Sequence, residues 1–336
     1  MSELQLILHA LNEKDDFEET WRGLYAPVIR YWGQYIRLYA QKNDSSIVEG
    51  HWDRSGKKWT FKEVVPAGIA GLPTAGLAAT MVGIEETHLF FVDNEGHIRE
   101  IGIHGNYGDK PKPGPLDKLK LKTSRPISVL PLNQHRAANE MALYYRDNSN
   151  ILREYKWNSC GHERWELTHS FKWTDFGPLT TDVKFVNMSK WMSAANELSI
   201  RGFYQNSEGY LVELRYDDGF WGTGFLHQKV PITDPPSSVA FTPIANDLYT
   251  APKLAVFYMQ DNKVYQVRKE GRDGYWYGPY EQTTEEEVEK GNIAGVGALT
   301  EHQDQHLFIS EKGNKVVHRY QILGGSWIKE VVDFND

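Results

Sequence analysis

Arg37 and Glu49 stand twelve residues apart in the stretch YIRLYAQKNDSSIVEGHWDRSGKKW, and the same two residue types stand twelve apart again at Arg201 and Glu213. The stretch reads as two short strands, 35–41 and 47–53, joined by a polar Lys-Asn-Asp-Ser-Ser turn, with Trp59 following a second turn. A hairpin centred on Asn43 would set Arg37 directly opposite Glu49, both side chains on one face of the pair. A guanidinium fork, a carboxylate and an indole held together bind hydroxyl groups, the first two by hydrogen bonds and the third through an apolar ring face. The competing readings are an ordinary cross-strand ion pair for Arg37 and Glu49 and simple packing between layers for the tryptophans. Recurrence of the pair at Arg201 and Glu213 favours ligand contact.

The elements that must position these residues also recur. Similar stretches begin at Leu89, Met141, Ile200, Leu254 and His306, and the residues in register with Glu49 are Glu100, Glu154, Glu213, Gln266 and His318. The spacings between them are 51, 54, 59, 53 and 52 residues, and a period of that size marks a repeat architecture. Each repeat opens on small and β-branched residues suited to a crowded inner strand, such as GLAATMVG from Gly76 and IAGVGAL from Ile293. Each closes on a segment holding Trp59, Trp165, Trp221, Trp276 or Trp327, except the second, which has GNYGDKPKPG instead. Four strands per repeat and six repeats predict an all-β fold, a six-bladed β-propeller with four-stranded antiparallel blades. The propeller is expected over 24–336, after an N-terminal segment 1–23 that is either a short helix or a strand sealing the ring. Residues 109–122 and 134–140 read as loops.

Bulk properties narrow the function. A formal charge of −8 without a basic run argues against nucleic acid and against an anionic membrane as partners. No stretch approaches the ~20 apolar residues of a membrane helix. The lone Cys160 cannot close an internal disulfide, and the apolar run 4–8 is too short for a secretion signal, so a cytoplasmic protein is expected. Neither a metal-ligand cluster, nor a P-loop, nor a dinucleotide fingerprint is present, so no metal and no cofactor are expected.

With its (I/L)-R-x-(F/Y)-Y-Q opening, its I-x-E or V-x-E partner strand and its D-G-x-W-like close, the repeat resembles the fungal fucose-specific lectins over 25–332. The resemblance implies a six-bladed propeller in which the hairpin Arg and Glu, with an aromatic from the closing strand, hold fucose between blades. Carried over, the binding groups are Arg37, Glu49 and Trp59, and Arg201, Glu213 and Trp221. A fucosylated glycan is then the partner, and the family's habit of dimerising allows a homodimer. Twelve residues before the other Glu-equivalents stand His88, Ala142, Leu254 and His306, and the last two repeats carry Gln266 and His318 in place of Glu. Losing the bidentate donor should largely abolish sugar binding, so four of the six sites are expected to be dead.

That erosion, through the same resemblance, implies a second use of the scaffold. Lectin-like proteins of this type in fungal secondary metabolism include hetero-Diels-Alderases of tropolonic sesquiterpene pathways. These dehydrate a hydroxymethyl tropolone-type alcohol to an o-quinone methide and add it to a humulene-type alkene. On this reading Glu49, Glu213 or His88 donates the proton to the leaving hydroxyl, and Arg37 or Arg201 clamps the tropolone oxygen. Trp59 and Trp221 supply flat walls, and Glu100 stands beside His88 in an eroded pocket. His306 beside His318 is a further acid and base. A cofactor-independent pericyclase is the function expected, with a degenerate fucose lectin as the alternative.

Overall fold

The computed structural model describes residues 21–30, 35–42, 44–53, 58–71, 76–82, 86–104, 110–133, 140–158, 164–171, 183–187, 199–217, 219–224, 230–232, 236–242, 253–260, 263–270, 276–283, 295–301, 304–311, 315–321 and 327–333. Within them lie six four-stranded antiparallel sheets, each made of four consecutive strands. Blade 1 consists of Trp21–Arg30, Tyr35–Lys42, Ile47–Asp53 and Lys58–Val65. The later blades occupy 77–113, 127–171, 184–223, 236–281 and 295–333. Each inner strand packs against those of the blades before and after it, and the inner strand of blade 6, Gly295–Glu301, packs against that of blade 1. The predicted six-bladed propeller is therefore the fold. Its first strand begins at Trp21, so the expected boundary at 24 falls inside a strand, and residues 1–20 lie outside the described residues.

A blade inside such a ring is covered on both faces, which is why its strands are apolar at consecutive positions. In the second strand of blade 2, Glu86–Val92, every residue after the first is buried. Alternate side chains go to opposite neighbours. Tyr39 and Ile47 of blade 1 join Leu77, Leu89 and Phe91 of blade 2, while Phe90 and Val92 join Met141, Leu143 and Trp165 of blade 3. Phe203 of blade 4 joins Leu254, Val256 and Trp276 of blade 5 in the same way. At roughly 1.5–3 kcal/mol for each large side chain buried, these seams between blades hold the ring together.

The turns set the register, and here three expectations need correction. In blade 1 the structure pairs Gln41 with Ile47, which centres the turn on Asp44 and not on Asn43. The Asp44 carboxylate accepts the Ser46 backbone N–H at 2.8 Å and Ser45 takes a positive φ of 69°, an Asx turn that fixes the loop one residue later. In turns of the same length in blades 2, 3 and 4, Asp93, Asp147 and Asn206 stand two positions earlier and each accept the backbone N–H groups two and four residues on. Arg37 consequently faces His51, and Glu49 faces Tyr39. In blade 5 only two residues separate the pair Gln260 and Lys263, so Gln266 faces Phe257, and the position equivalent to Arg37 is Ala255, not Leu254. The segment expected to be a loop over 109–122 supplies the outer strand of blade 2, Lys112–Pro113, and a 3₁₀ turn, Pro115–Leu119. Leu116 of that turn is buried in the seam with blade 3.

Candidate functional sites between the blades

Because Arg37 and Glu49 are diagonal and not opposite, they still share a face, and Arg37 Nη1 lies 3.6 Å from Glu49 Oε2. The Tyr39 hydroxyl donates to the same oxygen at 2.7 Å, and Arg37 reaches across the seam to donate to Thr87 Oγ1 of blade 2 at 3.3 Å. Arg37 is wholly buried. Burial, and then the Glu49 charge, raise the Tyr39 hydroxyl well above its ordinary pKa, so it remains a donor. The side of blade 2 that meets them is aliphatic, with Leu77, Leu89 and Ile103 around Phe91.

The second pair sits between blades 4 and 5. Arg201 Nε lies 3.0 Å from Glu213 Oε1, and Lys269 of blade 5 lies 3.5 Å from Oε2. Both terminal nitrogens of Arg201 donate to Asp217, each at 3.0 Å, so its bidentate fork is already engaged. Trp276 of blade 5 stands edge-on to Phe203 at 5.6 Å. Burial raises the Glu213 carboxyl above the usual range despite Lys269 and Arg201. Gly224 passes directly over that carboxylate, where a Cβ would come within 2.6 Å of it.

His88 and Glu100 meet between blades 2 and 3. His88 Nδ1 is 2.8 Å from Glu100 Oε1, and Nε2 is 3.3 Å from Glu86. The other Glu100 oxygen accepts the Trp165 indole N–H and the Leu116 backbone N–H, both at 2.9 Å. Burial alone would lower the His88 pKa, but hydrogen bonds and charge from Glu100 and Glu86 lift it to about 9, so the ring is an imidazolium at neutral pH. Between blades 3 and 4, Glu154 accepts from Tyr144 at 2.9 Å and from Thr168 at 2.6 Å, and Lys156 lies 3.2 Å from it. The backbone sets His318 opposite Phe308 and His306 opposite Tyr320, but their side chains lie outside the described residues.

The structure separates the tryptophans from the partners expected for them. Trp59 pairs with Trp52, which pairs with Ile36, so it belongs to the face of blade 1 turned away from Arg37 and Glu49. Trp221 likewise meets Tyr144, Phe171 and Phe185 on the blade 3 side, not Arg201 and Glu213. Glu100, Glu154 and Glu213 thus each have an indole on the next blade: Trp165 donates to Glu100, Trp221 meets Tyr144, which donates to Glu154, and Trp276 meets Phe203, the cross-strand partner of Glu213. Blade 2 has no such tryptophan, which leaves the Arg37 site without one. Asp217, Lys269 and Lys156 are site residues that the twelve-residue spacing did not reveal. A cavity of about 320 Å³ also opens along the blade 1 and blade 2 seam, but Ile69, Phe91, Asp93, Arg99, Ile101 and Asp117 line it, not Arg37 or Glu49.

Six four-stranded blades carrying buried polar pairs at their seams define a β-propeller. Residues 31–310 match the model of the fungal fucose-specific lectin family, and the chain belongs to that family. Among solved structures it is similar to AofleA from Arthrobotrys oligospora, at 20% identity and a TM-score of 0.73 over 95% of this chain and 88% of that one. It is similar also to the Aleuria aurantia lectin in complex with α-methyl-L-fucoside, at 17% identity and a TM-score of 0.71 over 94% and 97%. The latter lectin is itself described as a six-bladed β-propeller with a novel fucose recognition mode. No curated protein sequence matches the chain.

Proposed function

We propose that this protein is a glycan-binding propeller of reduced valency, which takes a fucoside at the seam between blades 4 and 5. One observation carries the reading. Among the described seams, only this one keeps a guanidinium, a carboxylate and an indole together, in Arg201, Glu213 and Trp276. Binding requires Arg201 to exchange Asp217 for sugar hydroxyls, and giving up a bidentate ion pair makes the affinity low, on the order of millimolar. Among the described residues the Arg37 site has no indole, and its donors Arg37 and Tyr39 are wholly buried, so it contributes nothing. The test is an NMR titration with methyl α-L-fucoside. A single weak site that Arg201→Ala removes and Arg37→Ala leaves alone is the expected result. Absence of any perturbation at tens of millimolar sugar, or four or more equivalent sites, would overturn it.

The dehydration and cycloaddition reading draws its support from the resemblance alone. Its proton donor has to reach a bound alcohol, yet Glu49, Glu213 and His88 are all buried and engaged with neighbouring charges. Incubating the protein with a tropolone-type alcohol and a humulene-type terpene separates the two functions. A single-handed adduct formed faster than the spontaneous one would establish the enzyme instead.

A further inference from the structure

At the seam between blades 3 and 4 Ala142 stands at the second-strand arginine position, and a cation stands on the next strand. The cross-strand partner of Ala142 is Lys156, whose Nζ lies 3.2 Å from Glu154 and 5.4 Å from the centre of the Tyr216 ring on blade 4. Blade 5 repeats the exchange: Ala255 stands at the arginine position, and its partner Arg268 lies 4.9 Å from the Tyr280 ring. In both blades a cation absent from one strand is present on the next, at the directly paired position. We propose that the seam between blades 3 and 4 is a saccharide site in its own right, in which Lys156 selects a ring bearing a carboxylate, a hexuronate, over its neutral counterpart. The proposal rests on the reading of the chain as glycan-binding.

The donors and acceptors at this seam decide the ligand class. Glu154 has little acceptor capacity to offer, because Tyr144 occupies one oxygen and Thr168 and Lys156 the other. Lys156 has three N–H donors and, among the described residues, one acceptor partner. The site is therefore rich in donors, unlike one built to take hydroxyl protons onto a free carboxylate. A charge-assisted N–H bond to a ligand carboxylate is about twice as strong as one to a neutral oxygen. Access distinguishes this seam from those of Arg37 and Arg201: the Lys156 side chain is 28% exposed, against 0% for Arg37 and 4% for Arg201. Beside it the half-buried Tyr216 and Trp221, with ring centres 5.2 Å apart, offer an apolar wall to the face of a sugar ring.

The matched probes are methyl β-D-glucuronide and methyl β-D-glucoside, which differ only in a carboxylate replacing a hydroxymethyl group. By calorimetry or NMR titration the glucuronide should bind about tenfold or more tightly, as expected of one charge-assisted bond. The preference should shrink as salt is raised, disappear in Lys156→Met and persist in Lys156→Arg. Methyl α-L-fucoside, bound at Arg201, should be unaffected by either change and so reports that the variants are folded. If Lys156→Met does not fold, Lys156→Gln keeps a donor without the charge and should also lose the preference. Equal affinity for the two glycosides, or a preference that survives loss of the charge, would overturn the proposal. Binding of the fucoside alone sinks this site only, whereas failure of all three sugars sinks the glycan-binding reading as a whole.

Discussion

Replacing His88 with Gln removes a buried titrating group while keeping an N–H donor for Glu100, and its effect should depend on pH. The His88 pKa stands at about 9 in the fold, against an ordinary 6.5. The folded value is the higher one, so the stabilisation is complete below about 6.5, drains away as pH rises toward 9, and is gone above it. At about 1.4 kcal/mol per pKa unit the difference is about 3 kcal/mol. For a chain of 336 residues the unfolding entropy is about 0.7 kcal/mol/K, which makes this about 4 °C in melting temperature. The assay is thermal unfolding of wild type and His88→Gln side by side at pH 6 and pH 9.5. The deficit of the variant should be larger at pH 6 by about that amount. The same deficit at both pH values would show that Glu100 and Glu86 do not hold a charged imidazole, and the account of this seam would fail.

Gly224→Ala should cost about 1–3 kcal/mol in chemical denaturation, since the added methyl meets the buried Glu213 carboxylate within 2.6 Å. Trp165→Phe keeps the ring but deletes the 2.9 Å bond to Glu100, and a loss of about 1–3 kcal/mol in urea unfolding is expected. Arg37→Met removes the guanidinium beside buried Glu49 and should destabilise by about 3–5 kcal/mol, whereas Arg37→Met with Glu49→Leu should recover most of it, as a double-mutant cycle would show.

The repeat was legible because one residue type, glutamate, recurs at a nearly constant interval on the third strand of blades 1 to 4, and the interval continues through Gln266 and His318. The pairing of sites with tryptophans was not read correctly, although parity held the answer. Glu49 pairs with Lys62, three residues beyond Trp59, and an odd offset along a strand puts the two side chains on opposite faces. The error came from treating the repeat in sequence as the unit of function, when the unit in space is the seam between two repeats. The register of the first hairpin was missed by one position because Asp44, not Asn43, closes the Asx turn. Lys269 and Lys156 were invisible for another reason: no other repeat carries a lysine at either position, so no period pointed to them, whereas Asp217 has a counterpart in Asp53 of blade 1, four residues beyond its glutamate, and that repeat was overlooked.

Every sheet is made from four consecutive strands, and among the described residues no strand from one end of the chain is hydrogen-bonded into the sheet of the other. Among the described residues the ends of the ring are joined by packing between the inner strands of blades 1 and 6. Synthesis from the N-terminus can therefore lay down whole blades one after another, each waiting only for its successor to cover its exposed face. The seam between the last blade and the first is completed only after the final strands have been made, so a ribosome-bound chain carries an open apolar edge at blade 1 until that moment. The same architecture makes the boundaries between blades natural places to cut and rejoin the chain, because a new pair of termini there divides no sheet.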